Sequence, residues 1–385
     1  SRRDRLSSEN LNAIQSQNKA TSGRDNASLL DHDFLIRSFR KISSNLPRRG
    51  WTALNFDESG EPGKHDDPFL FYLSDETHEE IRQALAFKDA NGLTLDTITQ
   101  EDFRLPSIAA SIVKWRQQLD RGIGFAIIDT DLSDLISEAD FEIIGWSLCN
   151  YFGQVIRQGI NHDRRLFTVS DKGSQNTDPT RIGASAKRSA KHSDNGCLEP
   201  RPPCYIGLFC YQASDRGGES TIISAQNVFQ TFADERPDLL PLLFNTYHFR
   251  SPQAHVWPSR GPTIQKPILE FKDGELLIHY ARVMINPGME MAGLSLSDQE
   301  LEALDYLDEV LERPELNFRT LLKPGQLLIL NNIAFLHGRE EFTPGVQAGR
   351  SLKRYWMWRR HIGAGTDPAL LDLAELQDPS LQEKE

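Results

Sequence analysis

From residue 160 onward the chain consists of short β-rich segments separated by clusters of Gly, Pro, Asn and Asp. These segments are too rarely separated by helices for a parallel sheet built from strand–helix–strand units. They predict an antiparallel sandwich or barrel, a mainly β fold (α+β) with helices packed outside. The segments predicted as strands are 166–170, 204–212, 220–224, 244–249, 268–271, 276–280, 326–332 and 351–358.

Helices are predicted mainly before residue 160. Apolar residues recur at helical spacing in 31–42, 77–88, 107–121 and 137–152, with Ser107 as the expected N-cap of the third helix. The apolar run 123–130 predicts a buried strand. Two further helices, 225–233 and 297–311, interrupt the β-rich part, and Ser297 and Glu300 form a capping box at the start of the second.

The same patterns predict one folded domain with two peripheral tails. Residues 1–28 are polar and are expected to form a mobile tail, and the acidic residues 363–385 form a second tail. Residues 29–362 are expected to form the domain. Within it, 29–160 is a largely helical flank and 161–362 is a β core with inserted helices.

Composition excludes several classes of protein. The chain carries 43 Lys+Arg against 55 Asp+Glu, a formal net charge of −12, whereas nucleic-acid binding requires a basic surface. No stretch approaches the roughly 18 consecutive apolar residues of a membrane span, and residues 1–19 lack the apolar segment of a secretory signal. The 4 cysteines form neither a disulfide scaffold nor paired zinc-binding motifs. We therefore expect a cytoplasmic protein with a small-molecule substrate, and homo-oligomer formation is left open.

A histidine and a carboxylate stand two positions apart at His192 and Asp194. Residues two apart on an extended chain face the same side, so both side chains can reach one metal ion. Taken alone, such a pair also fits a solvated loop, and similar pairs begin at His65 and His78. His192 differs from these because a strongly apolar segment, 204–212, follows it.

A second histidine, His337, ends the apolar run 327–336 and is followed by Gly338. A histidine at the end of a buried strand is well placed to be a metal ligand, although a hydrogen-bonded core histidine fits the same pattern. Two histidines and one carboxylate with open coordination positions are typical of non-haem Fe(II) oxygenases. Hydrolytic zinc sites instead keep one open position.

The last predicted strand carries two arginines on one face. Alternation places on that face Arg350, Leu352, Arg354, Trp356 and Trp358. If the face is inward, the guanidiniums require anions, because a buried unpaired charge is costly and Arg suits bidentate binding of a carboxylate. If the face is outward, both are solvated. An inward arginine beyond the second histidine suits a dicarboxylic co-substrate.

Four motifs together carry a resemblance to a known family: HSD at 192–194, RGGES at 216–220, LKPGQLLILNNIAFLHGREEF at 322–342 and GRSLKRYWMW at 349–358. They resemble the Fe(II)/2-oxoglutarate dioxygenases of the taurine dioxygenase (TauD/TfdA) and clavaminate synthase-like group. The resemblance runs from about Ser107 to His361. It implies a double-stranded β-helix, which is a jelly-roll barrel with flanking helices.

The resemblance also implies roles for individual residues. The expected Fe(II) ligands are His192, Asp194 and His337, and Arg350 is expected to bind the distal carboxylate of 2-oxoglutarate. Ser220 stands where the family often has the Thr of a Gly-Gly-x-Thr motif, and its neighbour Thr221 is the alternative. Candidates for substrate contacts are Arg354, Asn195, Arg181 and Arg282.

The function implied is the hydroxylation, desaturation or cyclisation of an unactivated C–H bond with 2-oxoglutarate and O2, releasing succinate and CO2. The expected substrate is a small polar molecule bearing a carboxylate or an amine, such as an amino acid or a natural-product intermediate. Because Asp194 is a carboxylate, halogenation is disfavoured. Two alternatives remain at this point: a zinc-dependent hydrolase on the same His/Asp/His site, and a non-catalytic jelly-roll binding module.

Overall fold

The computed structural model describes residues 31–52, 68–132, 136–158, 164–170, 187–194, 202–251, 261–343 and 350–359. The predicted tails at 1–28 and 363–385, the pair beginning at His65, and the substrate-site candidates Arg181 and Asn195 lie outside these residues.

Helices lie in three stretches of the described chain: before the β-rich part, in its middle, and before its last strands. They are α1 (His32–Asn45), α2 (Asp75–Ala90), α3 (Ala109–Asp120), α4 (Glu138–Phe152), α5 (Ala225–Glu235), α6 (Arg282–Met291) and α7 (Asp298–Leu311). Short 3-10 turns lie at Pro47–Arg49, Pro106–Ile108, Leu240–Phe244 and Pro314–Leu316.

The strands are mostly short and occur mainly after α4. They are β1 (Leu70–Tyr72), β2 (Phe125–Asp129), β3 (Gly153–Ile156), β4 (Phe167–Ser170), β5 (Ser189–His192), β6 (Tyr205–Gln212), β7 (Arg216–Gly217), β8 (Ser220–Ser224), β9 (Thr246–Arg250), β10 (Thr263–Pro267), β11 (Leu269–Lys272), β12 (Glu275–Ile278), β13 (Phe318–Thr320), β14 (Gln326–Asn331), β15 (Phe335–Arg339), β16 (Phe342–Thr343) and β17 (Ser351–Arg359).

Two sheets form the centre of the molecule. The larger has the strand order β1-β2-β14-β6-β17-β3, and β4 also pairs with β17. Its strands are antiparallel except for the parallel pair β1 and β2. The smaller sheet has the order β13-β8-β15-β5 and is antiparallel throughout. Three two-stranded pairs, β9 with β10, β11 with β12 and β7 with β16, lie beside them.

The two sheets pack face to face, because one apolar cluster takes side chains from both. Ile222 and Phe335 of the small sheet share this cluster with Leu328, Leu352 and residues of β2 and β6 of the large sheet. The helices cover the outer faces: α2, α3 and α4 pack on the large sheet, and α1, α5, α6 and α7 pack around the small one. The fold is therefore a mixed α/β fold whose inner space lies between two sheets.

The helices and strands predicted from the sequence are present, and their ends lie within three residues of the predicted ones. One boundary prediction was wrong. Ser107 is not the N-cap of α3; it lies in a 3-10 turn, and its hydroxyl donates a 2.6 Å hydrogen bond to Glu80 Oε2. Helix α3 begins at Ala109, and Ile108 occupies the N-cap position without a side-chain hydrogen bond.

Helix α6 was not predicted, because Pro287 interrupts its sequence and proline is a strong helix breaker. Tertiary packing forms the helix despite the proline. A Cβ atom at Gly288 would lie 2.3 Å from the carbonyl oxygen of His248, so glycine lets α6 lie directly on β9. Among the described residues no helix is both long enough and apolar enough to cross a membrane.

Candidate functional site

The two candidate histidines lie on paired strands of the small sheet. In the register between β15 and β5, His337 is the partner of His192, and their ring centroids lie 4.5 Å apart. His337 is therefore inside β15 and not, as the sequence predicts, at the end of a buried strand. The run 327–336 is two strands, β14 and β15, separated by a turn. Antiparallel pairing thus brings together two histidines that are far apart in the sequence.

Asp194 lies two residues after the end of β5 and is fixed through its backbone. Its N–H donates to Asn332 Oδ1 at 2.8 Å, and Asn332 Nδ2 donates to the carbonyl oxygen of Asp194 at 2.8 Å. The neighbouring Ser193 turns away and pairs with Tyr280, donating its N–H to the Tyr280 carbonyl at 2.8 Å and accepting the Tyr280 N–H through its hydroxyl. The chain after His192 is therefore held so that Asp194 faces the histidines.

The Asp194 carboxylate completes a compact cluster. Its Oδ1 lies 3.3 Å from His192 Nε2 and 3.9 Å from His337 Nε2. The candidate ligand atoms of the three residues all lie within 4.8 Å of one another, so they can surround one ion. Two imidazole nitrogens and one carboxylate oxygen on one side of an ion leave the remaining positions open.

Protonation states suit metal binding. Burial raises the pKa of the Asp194 carboxyl, but Arg354 and the two histidines outweigh burial and hold it well below its usual range. Burial, together with nearby His192, lowers the pKa of His337 to about 3, so its ring is neutral at neutral pH. His192 Nδ1 lies 2.8 Å from the carbonyl oxygen of Ala190, which selects the tautomer that leaves Nε2 as the free donor atom.

Two arginines, Arg339 of β15 and Arg350 just before β17, form a cationic cluster. Arg339 follows His337 by two residues on the same face of β15. The Cζ atoms of Arg339 and Arg350 lie 4.9 and 5.6 Å from the centre of the Phe342 ring. Burial, followed by the charge of Arg339, lowers the pKa of Arg350 to about 10, so its guanidinium is still charged at neutral pH.

The Gly-Gly turn leaves room for Arg350. Gly217 and Gly218 both have positive φ, and a Cβ at Gly218 would lie 3.2 Å from Cδ and Nε of Arg350. The turn therefore lies directly against the guanidinium. No carboxylate in the described ranges forms an ion pair with Arg350, although its side chain is buried.

Strand alternation separates the two candidate hydroxyls. Ile222, the register partner of His337, packs between the sheets, and Ser220 shares its face two residues earlier. Thr221 shares the opposite face with Ile223, which packs against the helices outside. The structure therefore places the Ser220 hydroxyl on the inner face and the Thr221 hydroxyl on the outer one.

The four candidate substrate contacts differ in their placement. Arg354 lies in the site, with Nη1 3.1 Å from Asp194 Oδ2 and Nε donating to Gln158 Oε1 at 3.1 Å. Arg282 instead forms ion pairs with Asp305 and Asp308 of α7, at 2.7 and 3.1 Å. The remaining two, Arg181 and Asn195, lie outside the described residues.

Three site residues were not singled out from the sequence: Asn332, Gln158 and Trp356. The Asn331-Asn332 pair interrupts an otherwise apolar run, and that interruption is a signal for a buried polar role. Alternation also places Trp356 on the face of Arg354, but it does not say which group the indole contacts. Trp356 Nε1 donates a 2.8 Å hydrogen bond to Asp194 Oδ2.

Comparison with known proteins agrees with this geometry. A family model described as "Taurine catabolism dioxygenase TauD, TfdA family" matches residues 89–359, which include every described residue of the cluster. The chain belongs to this family. Its members include dioxygenases by the family's own description, and the matched range covers both sheets except β1 at the edge of the large one.

Individual relatives are similar but distant. FR-33289 synthase of Streptomyces rubellomurinus (strain ATCC 31215) is 24% identical over 296 residues, covering 75% of this chain and 85% of that protein. Asparagine oxygenase, solved with Fe(II), 2S,3S-3-hydroxyasparagine and succinate, superposes with a TM-score of 0.55 at 18% identity and covers 75% of this chain and 93% of its own. The non-heme iron oxygenase OrfP, solved with Fe, succinate and (3R,4R)-dihydroxy-L-Arg, has a TM-score of 0.56 at 16% identity, with coverage of 75% and 94%.

Proposed function

We propose that this protein is an Fe(II)- and 2-oxoglutarate-dependent oxygenase that hydroxylates an unactivated C–H bond of a small polar substrate, releasing succinate and CO2. The observation that carries the proposal is the cluster of His192, Asp194 and His337. It is supported by the buried Arg350, which lies near Arg339 of the strand that carries His337. A two-histidine, one-carboxylate cluster is the donor set that non-haem Fe(II) oxygenases use. The family membership agrees with this chemistry and argues against a zinc hydrolase or a binding module.

The residues fit a ferrous ion in charge as well as in geometry. The neutral His337 ring presents a lone pair, and the ionised Asp194 supplies one negative charge to the ion. His192, His337 and Asp194 would hold the metal, which in such sites supplies the activation of O2. What the chain itself contributes is a fixed donor set beside the apolar cluster between the two sheets.

The cationic cluster fits a dicarboxylate co-substrate. Arg350 is buried and charged, and a buried guanidinium without an ion-pair partner is costly. The distal carboxylate of 2-oxoglutarate would supply the partner, with Ser220 donating a hydrogen bond from the inner face of β8. Thr221 is disfavoured in this role because its hydroxyl lies on the outer face.

We also propose that the two packed sheets are the two halves of a jelly-roll barrel.

For the substrate, we propose an amino acid or a similar natural-product intermediate that bears a carboxylate or an amine. Arg354 is the candidate contact that lies nearest the described cluster, where its guanidinium stacks on Phe167 and Trp356 at 5.1 and 4.7 Å. Arg181 and Asn195 remain proposals. Arg282 is already bound by two carboxylates, which weakens its candidacy. The similar structures of asparagine oxygenase and OrfP, with hydroxylated amino acids bound, support this substrate class.

The proposal is tested by anaerobic titration of the metal-free protein with Fe(II) and 2-oxoglutarate. We expect the visible charge-transfer band of a chelated 2-oxo acid in the unaltered protein. His337→Ala should lose the band, because two ligands hold the ion too weakly. His32→Ala, which changes an exposed histidine on α1, is the matched control and should keep it. A protein that binds Zn(II) but gives no band with Fe(II) would support the hydrolase instead.

Substrate class is tested separately by a screen of amino acids and small organic acids. Succinate release that rises above the substrate-free rate identifies a substrate, and product mass distinguishes the outcomes. Hydroxylation adds one oxygen atom, whereas desaturation or ring closure removes two hydrogens. If no compound bearing a carboxylate or an amine raises the succinate rate, the proposed substrate class is wrong.

A further inference from the structure

The two carboxylate oxygens of Asp194 have different surroundings. Oδ1 faces the histidines, at 3.3 Å from His192 Nε2 and 3.9 Å from His337 Nε2. Oδ2 faces β17, where Trp356 Nε1 donates to it at 2.8 Å and Arg354 Nη1 lies at 3.1 Å. One oxygen is therefore directed towards the metal position, and the other is occupied by the protein.

We propose, resting on the proposed function, that Trp356 is a positioning residue of the metal centre: its indole N–H holds Oδ2 of Asp194 so that only Oδ1 reaches the ion. A carboxylate can bind a metal through one oxygen or through both. Binding through both would use one of the open positions that the co-substrate and O2 require. Groups that hydrogen-bond to metal ligands fix ligand orientation in many metal sites.

Trp356 is better suited to this selection than Arg354. Arg354 Nη1 lies close to both oxygens, at 3.1 Å from Oδ2 and 3.3 Å from Oδ1, so it does not distinguish between them. The indole contacts Oδ2 alone. Trp356 is also 6% exposed and packs in the cluster between the sheets, so its ring cannot turn away.

The backbone of Asp194 is held by hydrogen bonds, so the rotation of its side chain is the freedom that remains. Asn332 binds both the N–H and the carbonyl oxygen of Asp194, which fixes the position of its Cα. The side-chain torsions are not fixed by Asn332. Arg354 and Trp356 of β17 both hold the carboxylate, and the indole hydrogen bond is the one that distinguishes Oδ2 from Oδ1.

The test uses metal-free full-length protein and Mn(II), whose binding and bound water are both measurable by water-proton relaxation. Trp356→Phe removes the N–H and keeps an aromatic ring. The matched control is Trp358→Phe, which changes the same residue type on the same strand and in the same core cluster. The hydrogen bonds described for the Asp194 carboxylate come from Trp356 and Arg354. Without the indole hydrogen bond, the Asp194 carboxylate can either move away from the ion or bind it through both oxygens. If it swings away, the Mn(II) dissociation constant rises by about 10- to 100-fold. If it chelates with both oxygens, one of three open positions is lost and the relaxivity of bound Mn(II) falls by about a third.

Either change in Trp356→Phe, with Trp358→Phe like the unaltered protein, supports the inference. Unchanged affinity and relaxivity in Trp356→Phe, or equal changes in both variants, would overturn it. If Trp356→Phe does not fold, replacement of Trp356 by 3-benzothienylalanine keeps both rings, removes only the N–H and is judged by the same two measurements. Failure of the unaltered protein to bind any divalent ion would overturn the proposed function as well, so the two failures are distinguishable.

Discussion

Arg350 is a charged side chain that is 4% exposed and forms no ion pair with any carboxylate in the described part of the chain. Such a group is stabilised when an anion binds beside it, because the anion replaces the water that the guanidinium lost on burial. Single residues of this kind decide which ligands the site accepts. The neighbouring Arg339 adds a second positive charge near Arg350, which favours an anion at this place over a neutral group.

Replacement of Arg350 by Gln should therefore weaken 2-oxoglutarate binding by about 30-fold or more. Removing one partner of a buried charged pair costs about 2–5 kcal/mol, and each 1.4 kcal/mol is about tenfold in affinity. Equilibrium titration of the metal-loaded protein measures the change. Arg236→Gln, which alters an exposed ion pair between α5 and α7, is the control and should bind normally. Unchanged affinity in Arg350→Gln would place the dicarboxylate elsewhere.

The residues of the cluster were predictable to the extent that their signals are local. His192 and Asp194 are two apart, and His337 follows an apolar run, so short patterns single them out. Trp356 and Asn332 contact Asp194 across 162 and 138 residues of sequence, and no local pattern encodes that contact. The choice between Ser220 and Thr221 likewise required the register of β8 against β15.

At the scale of elements, strand alternation and apolar runs predicted most of the large sheet. Strand β5, which carries His192, was not predicted because Ser189–His192 has a single apolar residue, Ala190. Its extended conformation comes from pairing with β15 and not from its own composition. Elements at a functional site often depart from local preference in this way, because polar side chains replace the apolar residues that reveal a strand.

The β11–β12 hairpin contains a buried histidine whose titration affects folding. His279 follows β12, donates its N–H to the Ile268 carbonyl at 2.8 Å and is 3% exposed. Burial lowers its pKa and outweighs the partly opposing effect of Glu270, whose carboxylate lies 3.6 Å away. The folded chain therefore keeps the ring neutral at a pH where the unfolded chain takes up a proton. The free energy of unfolding consequently falls as the pH drops below the ordinary value of about 6.5.

Replacement of His279 by Gln should make this pH dependence shallower between pH 6.5 and 5. The difference in slope between the unaltered protein and the variant has an upper limit of about 1.4 kcal/mol per pH unit, the value for one proton. Urea unfolding at several pH values measures it. His32→Gln, on the exposed face of α1, should leave the slope unchanged. Parallel curves for the unaltered protein and His279→Gln would show that His279 titrates alike in both states.

At the scale of the whole molecule, the predicted strands and helices gave the fold class but not the order of strands. That order depends on contacts between distant segments, such as β14 lying between β2 and β6. A charge network around the buried Arg49 is one such set of contacts. Arg49 Nη1 lies 3.2 Å from Glu275 Oε2, Arg359 Nη1 lies 3.1 Å from Glu275 Oε1, and Arg359 Nε lies 3.2 Å from Asp120 Oδ1. The network joins the turn after α1, the end of α3, β12 and the end of β17.

Glu275 is the residue on which this network depends, because both arginines bind its carboxylate. Replacement of Glu275 by Gln removes the carboxylate charge that faces Arg49, which is 1% exposed. Among the described residues, the Arg49 guanidinium then keeps its 2.7 Å hydrogen bond to the carbonyl oxygen of Asp120. Breaking a buried ion pair from one side costs about 3–5 kcal/mol, so we expect Glu275→Gln to lower the free energy of unfolding by about 3 kcal/mol. In the control, Glu309→Gln breaks the ion pair between Arg313 and Glu309, and the Glu309 side chain is 67% exposed. This variant should lose less than about 1 kcal/mol of the free energy of unfolding. Urea unfolding measures the loss of free energy of unfolding in both variants. Equal losses would mean that the ion pairs of Glu275 stabilise the fold no more than an exposed ion pair does. A loss confined to Glu275→Gln would show that the segments before α2 are anchored to the sheet that carries Arg354 and Trp356.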